Sequence, residues 1–453
     1  MRILLAAATM ALTACAQAPQ GEVTSRQVSL PQALPPMKAF ASSQVAPPAR
    51  PNSEIAADFL DLSFELESGR PLPVLSRFET PVSVAVRGPA SASLQADLDR
   101  LLSRLRIEAG IDIHRARPGA PASITFEIIP KARLQALAPT AACFVAPNVS
   151  SWREYRRLRN RPETDWARIT TRTRMAIFLP GGASPQETRD CLHEELAQAL
   201  GPVNDLYRLS DSVFNDDNFH TILTGFDMLI LRAYYAPELH SGMGRAEVAA
   251  RLPAILARLN PGGGDGTPAP TPKTPRPWIE AIETAIGPQA SEARRRQAAE
   301  RAVELARSAG WYDTRLAFAL FARGRLNLGH DSALALASFQ EAERIYRTLP
   351  GAELQAANMN VQLAAYALSG GRAAEAERIV NAHLAPALEA ENAALLATLL
   401  MIKAEALEMQ HRSGEATLVR LDSLGWARYG FGSEAQVAAR MSEIRAIAQR
   451  GQS

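Results

Sequence analysis

The chain has 453 residues, 47% of them hydrophobic and 21% charged, which is enough for two or three domains with cores of their own. Its formal net charge of +2 argues against a dedicated nucleic-acid binder, where a strongly basic face is expected. Lysine occurs only at Lys38, Lys131, Lys273 and Lys403, so arginine carries the positive charge, a composition bias without functional content.

At the N-terminus, Arg2 and the apolar run from Ile3 to Leu12 read as a secretory signal peptide, too short to span a bilayer as a mature helix. Leu12-Thr13-Ala14-Cys15 follows directly and resembles a bacterial lipobox. That resemblance implies lipidation of Cys15 and a membrane anchor. The absence of aspartate at Ala16 implies the outer membrane, with the body facing the periplasm. Ordinary cleavage near Ala16 is the alternative. Export leaves Cys143 and Cys191 as the mature cysteines, and an even pair in an oxidising compartment reads as a disulfide. A reactive thiol at Cys191, early in a helix, is the rival reading. Residues 16–53, with Pro31, Pro35, Pro36, Pro47, Pro48 and Pro51, read as a disordered tether.

Residues 54–260 are expected to form the first globular unit. Strands are expected at Val82–Val86, Ile111–Ile113, Ile124–Ile129 and Arg174–Leu179, and a helix over Ser91–Ala109 through Leu94, Leu98, Leu101, Leu102 and Leu105. Trp152–Trp166, with Arg153, Arg156, Arg157, Arg159 and Arg161, reads as a solvated surface segment. The stretch from Thr188 to Asp205 then carries a helix. Leu192, Leu196, Ala199 and Leu200 form its apolar stripe; Glu194, Glu195 and Gln198 share the other face, His193 projects away, and Gly201-Pro202 ends it. A His-Glu-x-x-His zinc site fails in the obvious register, because the second histidine would fall on Ala197.

Sliding the frame by one residue gives Glu194-Glu195-x-x-Gln198-x-x-Gly201-x-x-Asn204, which keeps the glutamate-to-glycine spacing of the metzincin signature. Glu195 is then the candidate general base, with Glu194, Gln198, Asn204 and Asp205 at degenerate metal positions. Neutral amides are weak zinc donors, so the expected site is empty or weak. Downstream come Asp211-Ser212-Val213-Phe214-Asn215-Asp216 and a helical run from Leu223 to Pro237 with Asp227 in its first turn. The order of strand, helix, glycine turn, Ser-x-x turn and final helix is similar to the metzincin and matrixin-like catalytic domain. It implies an α+β zincin-like (metzincin-like) fold with Ser212-Val213-Phe214 at the methionine-turn position. A closer resemblance, over Val82–Met243, is to a proteobacterial lipoprotein family known only as domain of unknown function 2927. It rests on Glu194-Glu195-x-x-Gln198-x-Leu200-Gly201-x-x-Asn204-Asp205, on Asp211–Asp216, and on Tyr235-x-Pro237-x-Leu239-x-x-Gly242-Met243. It implies a fold and no activity.

Residues 261–277, rich in Gly and Pro, read as a linker. From 278 to 453 the chain is Ala-rich, with apolar stripes Ala335, Phe339, Ala342, Tyr346 and Leu354, Ala357, Val361, Ala364. Turns are expected at Gly329, Gly371 and Gly414, 42 and 43 residues apart, which resembles an all-α tetratricopeptide-like helical repeat domain; a plain helical bundle is the alternative. No Gly-x-x-x-x-Gly-Lys-Ser/Thr loop is present, so no nucleotide partner is expected. His114, His220, His240, His330, His383 and His411 show no ligand spacing. The resulting expectation is a membrane-anchored envelope lipoprotein acting as a protein-binding or scaffold module. It would reach the membrane through its lipid anchor and protein or peptide partners through its helical repeats, with no nucleic acid and no cofactor. The alternative is an active zinc-dependent peptidase with Glu195 as general base, the one reading that needs zinc.

Overall fold

The structure, a computed structural model, describes residues 34–40, 47, 48, 50–264, 266 and 272–451. The expected signal peptide, Cys15 and most of the expected tether lie outside them. The first region comprises α1 (Asn52–Phe64), β1 (Val82–Arg87), α2 (Ala92–Glu108), β2 (Ile113–Arg115), β3 (Ile124–Pro130), α3 (Lys131–Gln135), β4 (Phe144–Pro147), α4 (Trp152–Leu158), β5 (Met175–Gly181), α5 (Pro185–Leu200), α6 (Gly225–Tyr234) and α7 (Arg245–Leu259). Its five-strand mixed sheet has the order β2-β1-β3-β5-β4. The first four run parallel, and β4 pairs antiparallel to β5 with Val145 opposite Ile177.

The alternation of side chains along each strand divides the core in two. Met175, Ile177 and Leu179 of β5 face one way, with Val82, Val84, Ile124 and Phe126, into the main core closed by α1, α2, α5, α6 and α7. Ala176 and Phe178 face the other way, with Leu134, Ala146 and Trp152, under α3 and α4. The segment read as a solvated surface therefore has two sides. Its five arginines are exposed as expected, but Trp152 and Tyr155 beneath them pack on Phe178 at 5.1 and 5.3 Å between ring centroids. An aromatic pair on a short helix carries too little periodicity to separate a covering helix from a loop.

The second region is wholly helical: α8 (Arg276–Ile286), α9 (Glu292–Ser308), α10 (Thr314–Asn327), α11 (Ser332–Tyr346), α12 (Glu353–Ser369), α13 (Ala373–Glu389), α14 (Ala393–Met409), α15 (Ser413–Phe431) and α16 (Glu434–Arg450), stacked as helix pairs. The repeat period differs from the glycine spacing. Gly351, Gly371, Glu391 and His411 all have positive φ and recur every 20 residues, one per helix. Behind three of them the same bond closes the helix end: Arg372 N to Ala367 O, Asn392 N to Ala387 O and Arg412 N to Leu407 O, 2.9 to 3.0 Å. This is the left-handed helix stop that usually selects glycine. Counting glycines overlooked two stops that are not glycine, and Gly414 lies inside α15.

The two regions share a continuous seam. Gln186 of α5 donates to Asn392 Oδ1 at 3.0 Å and accepts from Ala394 N at 2.9 Å. Tyr429 donates to Asp97 Oδ2 at 2.7 Å, and Gln355 to Ser210 O at 2.8 Å. Tyr207 packs edge-on against Trp278 at 5.1 Å. Residues 34–40, inside the stretch read as tether, belong to this body. Lys38 N donates to Gly425 O at 3.1 Å, Arg428 Nη1 to Pro35 O at 2.7 Å, and Phe40 stacks on Trp426 at 4.6 Å. Proline content suggested disorder, but the apolar Leu34 and Phe40 give the segment something to bury.

Candidate functional site

Helix α5 leaves the sheet directly after β5, so its position follows from the strand. Ser184 and Glu187 close a capping box at its start, with Pro185 as first helical residue. At its end, Arg172 is buried and donates to Gln198 O at 2.5 Å and to Gly201 O, while Tyr235 donates to Leu200 O at 2.9 Å. A cation on the last carbonyls opposes the negative end of the helix dipole. A Cβ at Gly201 would stand 3.2 Å from the Tyr234 ring, so a larger residue there requires the ring to give by a few tenths of an ångström. The disulfide Cys143–Cys191, with Cα atoms 6.0 Å apart, ties the residue before β4 to the middle of α5.

The apolar stripe Leu192, Leu196, Ala199 and Leu200 is fully buried, and the polar face meets a group of acids. Glu194, Asp205 and Asp216 are half-buried, Glu195 is only 4% exposed, and Glu67 stands at the rim. Burial, then Asp216 and Glu67, pushes the Glu194 carboxyl up to about 7. Burial, then Glu194 and Glu67, pushes Glu195 well above the carboxylate range, against the opposing effect of the Val145 N–H that it accepts. Asp205 is raised by burial and then by Glu67, with which it shares a side-chain hydrogen bond. Tyr207 donates to Asp216 Oδ2 at 2.9 Å. Carboxyls crowded in this way are all shifted toward their protonated forms, because like charges in a poorly solvated group cannot all ionise. Chemically the cleft can donate and accept protons. One oxygen of Glu195, Oε2, is buried with no hydrogen-bond partner among the described residues.

The expected ligand positions converge only in part, with Glu194 and Asp205 together in the acidic cleft. Glu194 faces the acidic cleft, but Asn204 turns to α1 and donates to Asp61 O at 2.9 Å, while Val203 N bonds Leu62 O. His193 lies on the far side of α5, where its Nδ1 accepts from Leu223 N at 3.0 Å. Burial, together with Arg104, Arg189 and Arg100, holds it well below the usual histidine range. Among the described residues no three His, Cys, Asp or Glu side chains lie at metal-ligand spacing. The zinc that a zincin-like frame implies is therefore not matched by the residues present: carboxylates crowd one side, and an amide is spent on backbone.

The turn at Ser212 is held by Asp227. Asp227 accepts from Ser212 Oγ, from Val213 N at 3.1 Å and from Thr224 N at 2.8 Å. Sequence reasoning missed Glu67 and Tyr207 in the cleft. Asp216 was visible only as part of a motif, and Glu67 sits in a loop with no pattern to mark it.

These features define an α/β region with a carboxylate-lined cleft, joined to an all-helical region of stacked pairs. Residues 52–254 match the family described as "Protein of unknown function (DUF2927)", so the matched span includes α1, ahead of the stretch that carried the resemblance in sequence. No curated protein and no solved structure matches the chain. No helix among the described residues is long and apolar enough to cross a membrane, and the disulfide suggests an oxidising, extracytoplasmic location.

Proposed function

We propose that this chain is an exported protein-binding module, lipid-anchored through Cys15, in which a zincin-like frame has lost its metal-ligand set and the stacked helices supply the docking surface. The observation that carries the reading is the diversion of Asn204 to the Asp61 carbonyl, which removes the third ligand position from the cleft. The succession of β5, α5, the Gly201 turn, the Ser212 turn and α6 with Asp227 in its first turn supports the zincin-like frame. The seam between the regions supports a scaffold role, since it presents both as one surface.

One observation favours the active-peptidase reading: the unpartnered, buried oxygen of Glu195. Zinc content of protein purified without added metal, together with peptide cleavage by parent and Glu195→Gln, separates the two. Substoichiometric zinc and no Glu195-dependent cleavage are expected; one zinc per chain with cleavage abolished in Glu195→Gln would establish the peptidase. For the anchor, Cys15→Ser should end lipid labelling and release the protein from membranes, and a variant that still labels would remove it.

A further inference from the structure

On the side of α5 opposite the acidic cleft, a cavity of about 210 Å³ opens between α2, α5 and the α13–α14 turn. Arg100, Arg104, Arg189 and His193 line it together with Leu101 and Ile107. Each guanidinium has a carboxylate of its own. Arg100 pairs with Asp97, Arg104 binds Glu108 through two bonds of 2.7 and 2.9 Å, and Arg189 pairs with Glu391 at 2.9 Å. Asp97 also takes the Tyr429 hydroxyl, so among the described residues every oxygen of these acids except Oε1 of Glu391 has a partner.

The donors are not used up. Nε of Arg100, Nη1 of Arg104 and the buried Nε of Arg189 find no acceptor among the described residues. His193 accepts at Nδ1, so as a neutral ring it carries its proton on Nε2, which also lacks an acceptor. Arg189 and His193 are both more than nine-tenths buried. A surplus of unsatisfied donors around a cavity calls for a ligand that only accepts, and guanidinium forks match the two oxygens of a planar acid. The remaining wall is apolar, with Leu101 inside and Ile107, 80% exposed, at the mouth. The volume is below the roughly 300 Å³ at which pockets for drug-sized ligands begin.

We infer that this cavity binds a small organic acid, its carboxylate on the free donors of Arg104, Arg189 and His193 and its apolar part against Leu101 and Ile107. The site lies apart from the acidic cleft and does not depend on the function proposed above. It bridges the two regions, because Glu391 sits at a left-handed helix stop, φ 49°, and holds Arg189 with both its side chain and its carbonyl.

The test is calorimetric titration of the whole protein with isovalerate, with isovaleramide as the uncharged analogue and inorganic phosphate as the anion without an apolar part. Isovalerate should saturate one site per chain, and the other two should bind at least about tenfold more weakly. Ile107→Asp should weaken isovalerate about tenfold, whereas Ile107→Lys, whose aliphatic stem keeps the apolar wall while adding a cation at the mouth, should bind it more tightly. Neither should shift thermal unfolding without ligand, since Ile107 is exposed. The His193 ring signals should move on isovalerate addition in labelled protein. No saturable isovalerate binding, equal binding of the amide, binding of phosphate alone, or indifference to both Ile107 substitutions would each overturn the assignment.

Discussion

Asp227 shows how much a single buried carboxylate can organise. Both its oxygens are taken, by the Ser212 hydroxyl and by the backbone of Val213 and Thr224, so α6 and the Ser212 turn cannot separate without stranding polar groups. Asp227→Ala should lower stability by about 3 kcal/mol, read from the urea midpoint, because the donors it satisfies stay buried. Glu194 makes a pH prediction. Its folded pKa, about 7, lies above its ordinary value of 4.5, so between those values the folded state keeps a proton that the unfolded chain releases. Stability therefore falls as pH rises through that window. Glu194→Gln should unfold at a urea midpoint close to the parent's near pH 4.5 and at a higher one at pH 8; a difference independent of pH would show that Glu194 is not protonated in the fold.

Among the elements, the helical region shows that a repeat can be carried by backbone conformation more faithfully than by residue type. Glu391 and His411 both occupy left-handed stops, where an L-residue costs roughly 1–2 kcal/mol. His411 is exposed and its ring makes no hydrogen bond among the described residues, so His411→Gly should stabilise the chain by about 1 kcal/mol in thermal or urea unfolding. Glu391→Gly relieves the same strain but leaves the buried Arg189 with the residue-391 carbonyl and no carboxylate, and should destabilise by about 3 kcal/mol. Opposite signs at equivalent positions separate the strain from the ion pair. The disulfide acts at the same scale, since it ties the edge strand β4 to α5 across 48 residues of sequence. Non-reducing mass mapping should find Cys143 joined to Cys191, and replacing both with serine should cost about 2–4 kcal/mol.

Across the whole molecule, the seam changes what a cut between the regions should do. Gly and Pro crowd residues 261–277, so limited proteolysis should cut there first. The halves should nevertheless stay together on gel filtration, held by the bonds of Gln186, Arg189, Tyr429 and Gln355 and by the Tyr207–Trp278 contact. Halves that separate without denaturant would show that the seam is weak.

What the sequence determined was local. Runs of β-branched and apolar residues marked β1, β3 and β5, the 3.6-residue period marked α2 and α5 with the correct buried stripe, and an even pair of cysteines behind an expected signal peptide marked their own pairing. Each signal lies within a few residues, or depends on a count, so no knowledge of folding is needed to read it. Tertiary structure decided the rest. It placed β4 antiparallel at the sheet edge, laid residues 34–40 on α15, turned Asn204 away from Glu194 and brought Glu67 to Asp205. The partners in these contacts are brought together from separate parts of the chain, and which of two similar polar residues faces a cleft depends on packing around both. The proton-sharing of the cleft has the same origin, because the shift at Glu194 comes from burial and from Asp216 and Glu67, none of which is a property of its own stretch of sequence.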